Sequence, residues 1–110
     1  MDSDRQLKLW YSKYNAKWFG GELPTDTVIY WKPLSADAGK SCPIFEVADG
    51  KFEINIDPKH SGTDWAWKLI LLHEMAHLKL WKKFPRHQHG KAFQEEMQRL
   101  SQAGALKGIW

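Results

Sequence analysis

The sequence predicts an α+β fold, and three observations carry that prediction. Stretches with apolar residues at three- and four-residue steps lie towards the two ends of the chain, and three short runs rich in β-branched and aromatic residues sit between them. The order of segments is therefore helix, strand, strand, strand, helix, helix, with the strands grouped together. The third observation is size. A chain of 110 residues with 43% hydrophobic content can bury one core but not two. A single domain over residues 1–110 is expected, and there is no internal repeat, low-complexity run or linker to divide it.

The first helix is expected over about residues 4–19, where Leu7, Trp10 or Tyr11, Tyr14 and Trp18 form an amphipathic stripe. Ser3 or Asp4 can cap it, Gly20-Gly21 can end it, and Pro24 keeps it from resuming. Thr27–Trp31 (TVIYW) reads as a strand. A second strand is expected within Gly39–Val47, with Pro43 placing it at an edge or delaying its start. Asp49-Gly50 is a hairpin turn signal. Lys51–Ile56 then alternates Phe52, Ile54 and Ile56 with Lys51, Glu53 and Asn55, as a half-buried strand does. Asp57-Pro58 stops it. Ser61 or Thr63 can cap a long helix that runs to about Lys83, where Pro85 closes it. The last helix, from about Lys91 to Gln102, carries Phe93, Met97 and Leu100 as its stripe.

The long helix holds the chemistry. It reads WAWKLILLHEMAHLKL from Trp65, and His73-Glu74-Met75-Ala76-His77 fits the pattern H-E-x-x-H. Residues four apart on a helix lie one above the other, so His73 and His77 can present two imidazoles to one metal ion. Glu74 is rotated by about 100° from the first of them. From there a carboxylate can reach a water on the metal without binding the metal itself. A helix that is apolar almost all round is a buried one, and burying two His and a Glu is costly unless they are paired or coordinated. One satisfied core histidine would be ordinary; three such neighbours point to a metal.

Catalytic zinc takes three protein ligands as a rule. The downstream candidates for the third are His87, His89, Glu95 and Glu96. His89 follows His77 by twelve residues, enough to finish the helix, turn at Pro85 and return. Gly90 beside it allows close approach, and Phe93 would anchor the next helix, so His89 is favoured. Glu95 and Glu96 have a spacing closer to peptidases with a glutamate ligand, but the stripe of their helix places both towards solvent. His60 reads as a surface-loop histidine.

The stretch HEMAHLKLWKKFPRHQHGKAF resembles the SprT-like zinc metallopeptidases, in which H-E-x-x-H is followed at a distance by H-G-x-x-F/W. YNAKWFGGELPTDTVIYW is similar to the start of that family's domain, and Ala38-Gly39 followed by Cys42 is similar to its next strand. The resemblance covers roughly residues 10–97. It implies zinc held by His73, His77 and His89, Glu74 as general base, and a small zincin-type core of helices on a short sheet with peptide along an exposed strand. The best-known relatives cut proteins crosslinked to DNA and are switched on by nucleic acid. With one Cys, these 110 residues hold no zinc ribbon, so the peptidase chemistry is expected here and the DNA-repair role is not. The minigluzincins, compact zincins with a Glu as third ligand, are a second comparison. The implied activity is zinc-dependent hydrolysis of peptide bonds, with the substrate added as a strand, most naturally beside Ile44–Val47.

Composition bounds the partners. One Cys excludes an intrachain disulfide and favours a reducing compartment. The N-terminus lacks the apolar core of a signal peptide, and no segment reaches the apolar length of a membrane span. A cytoplasmic monomer with a protein or peptide substrate and no membrane partner is expected. Charge is uneven: residues 1–77 carry nine Lys/Arg against eleven Asp/Glu, whereas residues 78–110 carry seven against two. That basic third raises an alternative, a non-catalytic zinc-stabilised module that binds DNA or protein. Glu74 speaks for the enzyme, because a purely structural site has no use for it. A further alternative is a latent protease whose apolar tail, Ile109-Trp110, occupies its own cleft; a terminus packed on the core is the plainer expectation. Cys42 is expected to carry no chemistry, and the Trp residues at 10, 18, 31, 65, 67 and 81 are expected to be mostly core.

Overall fold

The structure, a computed structural model, describes residues 4–33, 44–48, 50–81 and 90–106. Ser3, Pro43, Lys83, Pro85 and the tail beyond Leu106, given terminating or packing roles above, lie outside them. The fold is α+β, as the segment order predicts.

Helix α1 spans Arg5–Trp18. Its cap is Asp4, whose side chain accepts from the Leu7 backbone N–H at 3.0 Å. The Asp4 backbone N–H donates to the Ile29 carbonyl, tying the helix start to the first strand. Leu7, Tyr11 and Tyr14 are buried, the three- and four-residue stripe expected. Gly20 and Gly21 take positive φ of 63° and 74°, a conformation open to glycine at little cost, and reverse the chain. Asn15 then fastens the return. Its amide donates to the Leu23 carbonyl and accepts from the Leu23 N–H, each at 3.0 Å. The Tyr11 hydroxyl donates to the Pro24 carbonyl at 2.6 Å.

Strands β1 (Val28–Trp31), β2 (Ile44–Ala48) and β3 (Lys51–Ile56) form one sheet in the order β1-β3-β2. β3 pairs parallel with β1, Val28 opposite Glu53 and Trp31 opposite Ile56. It pairs antiparallel with β2, Ile44 opposite Ile54, and the register shifts between Glu46 and Ala48. β3 is therefore central and β2 is an edge, which the Pro43 argument anticipated. Phe52, Ile54 and Ile56 are all buried, and Ile29 and Ile44 join them in the core.

A short 3-10 turn, Pro58–His60, leads to helix α2, Asp64–Leu80, with Thr63 at the cap position. Trp67, Leu71, Leu72, Met75 and Ala76 of α2 make the middle of the core. Trp65 is 52% exposed and departs from the core expectation for the tryptophans; Trp67 is buried, and Trp10, Trp18, Trp31 and Trp81 pack partly buried against the core. Helix α3, Lys91–Ala103, closes with Gly104 in the left-handed conformation. Phe93 and Leu100 are buried and Met97 packs against them. No helix among the described residues is long and apolar enough to cross a membrane.

Candidate metal centre

α2 delivers His73, Glu74 and His77 to one place because the helix is continuous through them. His77 and His73 are one turn apart, and their Nε2 atoms stand 3.1 Å from each other. Two nitrogens bound to one tetrahedral zinc at about 2.0–2.1 Å stand roughly 3.3 Å apart. The pair is thus already at the separation a shared cation requires. Glu74 Oε1 lies 3.9 Å from His73 Nε2. The possible ligand atoms of these three residues all lie within 4.8 Å of one another, and among the described residues they form the one such group.

Burial makes the group chemically unusual. Glu74 is 5% exposed and His77 7%. Burial pushes the Glu74 carboxyl up from 4.5 to about 7. Its Oε2 is buried and has no hydrogen-bond partner among the described residues. A carboxylate oxygen left so, beside two imidazole nitrogens this close, makes a group that could hold a metal ion. The residues fit the ion that the sequence implied.

α3 supplies the floor. The Phe93 ring stacks on the His77 imidazole with centroids 4.1 Å apart and planes 14° from parallel. The same ring meets His73 edge-on at 4.9 Å. Sequence reading had Phe93 as a core anchor and did not foresee that it would touch both imidazoles.

The candidates for the third ligand divide cleanly. His87 and His89 lie outside the described residues, as does Cys42, and so does the side chain of His60. Glu95 is on the solvent side of α3 and its carboxylate lies 3.9 Å from Lys91 Nζ. Glu96 does not face solvent as expected. It is 6% exposed and holds three hydrogen bonds, from Lys79 Nζ at 3.0 Å, Arg99 Nε at 2.9 Å and Arg99 Nη2 at 2.6 Å. Burial works to raise its pKa, but the bonds from Arg99 and Lys79 outweigh it and hold the carboxyl below its ordinary value. Both of its oxygens are thereby committed to cations. The signal was in the sequence: positions 93, 96, 97 and 100 follow the three-and-four rule, with Glu96 inside the stripe. The same contacts turn Lys79 and Arg99, two of the seven cations of the basic third, towards a carboxylate inside the protein.

The model of the SprT-like family matches residues 7–108, nearly the whole chain. No curated protein and no solved structure gives a significant match.

Proposed function

The chain belongs to the SprT-like family, and from that premise we propose that it is a zinc metalloendopeptidase. One observation carries the reading: a buried carboxylate with an oxygen unpartnered among the described residues lies beside two imidazole nitrogens 3.1 Å apart. His73 and His77 would hold Zn2+ together with a ligand from beyond α2, for which the H-G-x-x-F motif favours His89. When bound, zinc supplies Lewis acidity, polarising the scissile carbonyl and making water acidic near neutral pH.

The remaining work falls to the protein. Glu74 takes a proton from the attacking water and passes it to the leaving nitrogen as the C–N bond breaks. Burial raises the basicity of this carboxyl, which favours the first of these transfers. The apolar sheath of α2 (Leu71, Leu72, Met75 and Ala76 are fully buried) keeps this carboxyl short of competing water. β2, an edge strand with Glu46, Val47 and Ala48 exposed, offers backbone groups on which an extended peptide can add. The substrate is accordingly an extended stretch of protein, and the working form a monomer in the cytoplasm.

A binding module that uses the basic third is the second reading. Its charge is less available than the sequence suggests, since Lys79 and Arg99 are engaged with Glu96. The test is direct. Wild type should carry one zinc per chain and cleave an unfolded protein such as casein. Glu74→Gln should keep the zinc and lose cleavage, whereas His73→Ala and His77→Ala should lose both. A zinc-loaded wild type that cuts no unfolded substrate, yet binds DNA in a salt-sensitive manner, would replace this reading by the second.

A further inference from the structure

We propose that Phe93 is a positioning residue for the metal-binding imidazoles, and that Glu96 with Lys79 and Arg99 is the clamp that holds it there. The inference rests on the zinc reading above and deepens it. Its basis is a chain of contacts from the C-terminal end of α1 to the imidazole of His77.

The chain starts at the ring. A helix fixes where a histidine side chain leaves the backbone, but rotation about its last torsion is soft. Metal binding needs both imidazole planes to point their Nε2 atoms at one spot. Phe93 restricts both at once, lying parallel to His77 and edge-on to His73, and His73 and His77 are themselves 76° from coplanar at 4.7 Å. Rotation of either imidazole away from the shared spot would break an aromatic contact.

Phe93 can serve only if α3 is held against α2. The apolar stripe of α3 is short, and an apolar contact alone permits sliding. Glu96, one turn beyond Phe93, is bonded to Lys79 of α2 and to Arg99 of α3. Arg99 Nη2 also donates to the Trp18 carbonyl at the end of α1, at 2.9 Å. Three helices are pinned together by directional bonds within two turns of the stacked ring. Lys79, two residues beyond His77, ties the clamp to the helix that carries the ligands.

The experiment measures zinc affinity by competition with a chelator, beside the melting temperature of the zinc-free protein. An aromatic pair of this kind corresponds to about a 2- to 10-fold change in affinity. Phe93→Leu, which keeps an apolar side chain and removes the plane, is expected to weaken zinc binding by about that factor or more. Leu100→Val, two turns further along α3 and fully buried, is the control. It should lower the melting temperature of the zinc-free protein while leaving zinc affinity within about twofold. If Phe93→Leu does not fold, Phe93→Met fills the same space with a flexible chain and reads the same quantity. Cobalt-substituted protein adds a spectroscopic signature, since a displaced imidazole alters the ligand-field bands in Phe93→Leu and not in Leu100→Val. Unchanged zinc affinity in the Phe93 variant, or an equal loss in the control, overturns the proposal while the zinc reading stands. A wild type that binds no zinc takes both down.

Discussion

Replacing Glu74 with Gln should remove a pH-dependent instability from the zinc-free protein. The Glu74 carboxyl sits at about 7 in the folded state against 4.5 ordinarily. The folded protein therefore holds a proton that the unfolded chain releases throughout the window between those values. Stability then falls as pH rises, because the unfolded state binds fewer protons there. The contribution is fully present below about 4.5 and is lost as pH rises through about 7. At 1.36 kcal/mol per pH unit the difference between the two values amounts to about 3 kcal/mol. Gln has nearly the same shape and no charge, so it should match wild type at pH 4.5 and exceed it by about 3 kcal/mol at pH 8. The quantity of interest is the difference between the two curves. Urea denaturation in excess chelator, at half-unit steps of pH, reads it directly. Parallel curves for the two proteins would refute the reasoning, and so would a wild type more stable than the variant at pH 8.

Further outcomes follow from the same contacts. Glu96→Gln should destabilise the zinc-free protein by roughly 1–3 kcal/mol, below the range for a fully buried pair because Lys79 and Arg99 are partly exposed. Since the Glu96 carboxyl is held below its ordinary value, wild type should lose that advantage as pH falls through the acid range, and the variant should not show the loss. Asn15→Ala strips two buried backbone groups of Leu23 of their partner and should cost roughly 2–4 kcal/mol, read as a fall in melting temperature. His89→Ala should abolish zinc retention while His87→Ala keeps it, by metal analysis of the purified proteins; the reverse result would move the third ligand to position 87.

Much of the fold was legible because the decisive signals are local. The Asp4 cap, the Gly20-Gly21 stop and the apolar positions Phe52, Ile54 and Ile56 are each set within a few residues, and α1 and α3 lie within a residue of their expected bounds. By contrast, α2 ends at Leu80, three short of Lys83, and Asn55, expected on a polar face, is buried. The partners of the strands are not local. Nothing in TVIYW says that it will lie parallel to KFEINI rather than beside the strand that follows it, and the order β1-β3-β2 comes from packing. Trp65 shows the opposite limit. Residue type marks it as core, but it sits in the first turn of α2 and half its surface stays in water, while Trp67 turns inward.

At the site, the H-E-x-x-H spacing was sufficient to bring two imidazoles and a carboxylate together, since all three ride on one helix. Glu96 was marked by its position in the stripe but not by its residue type. A lone Glu in an apolar stripe is conventionally assigned to solvent, because burying its charge costs several kcal/mol. The assignment fails when the compensating cations come from elsewhere. Arg99 is three residues away, but Lys79 is seventeen and belongs to the preceding helix. A charge placed inside an apolar pattern is thus a stronger pointer to function or register than the apolar pattern itself. Replacing it with a hydrophobic residue would spare the desolvation, yet would give up the directional bonds that fix α3 against α2. Retaining the charged form makes physical sense where the position of one ring, Phe93 over His77, matters more than the last increment of stability.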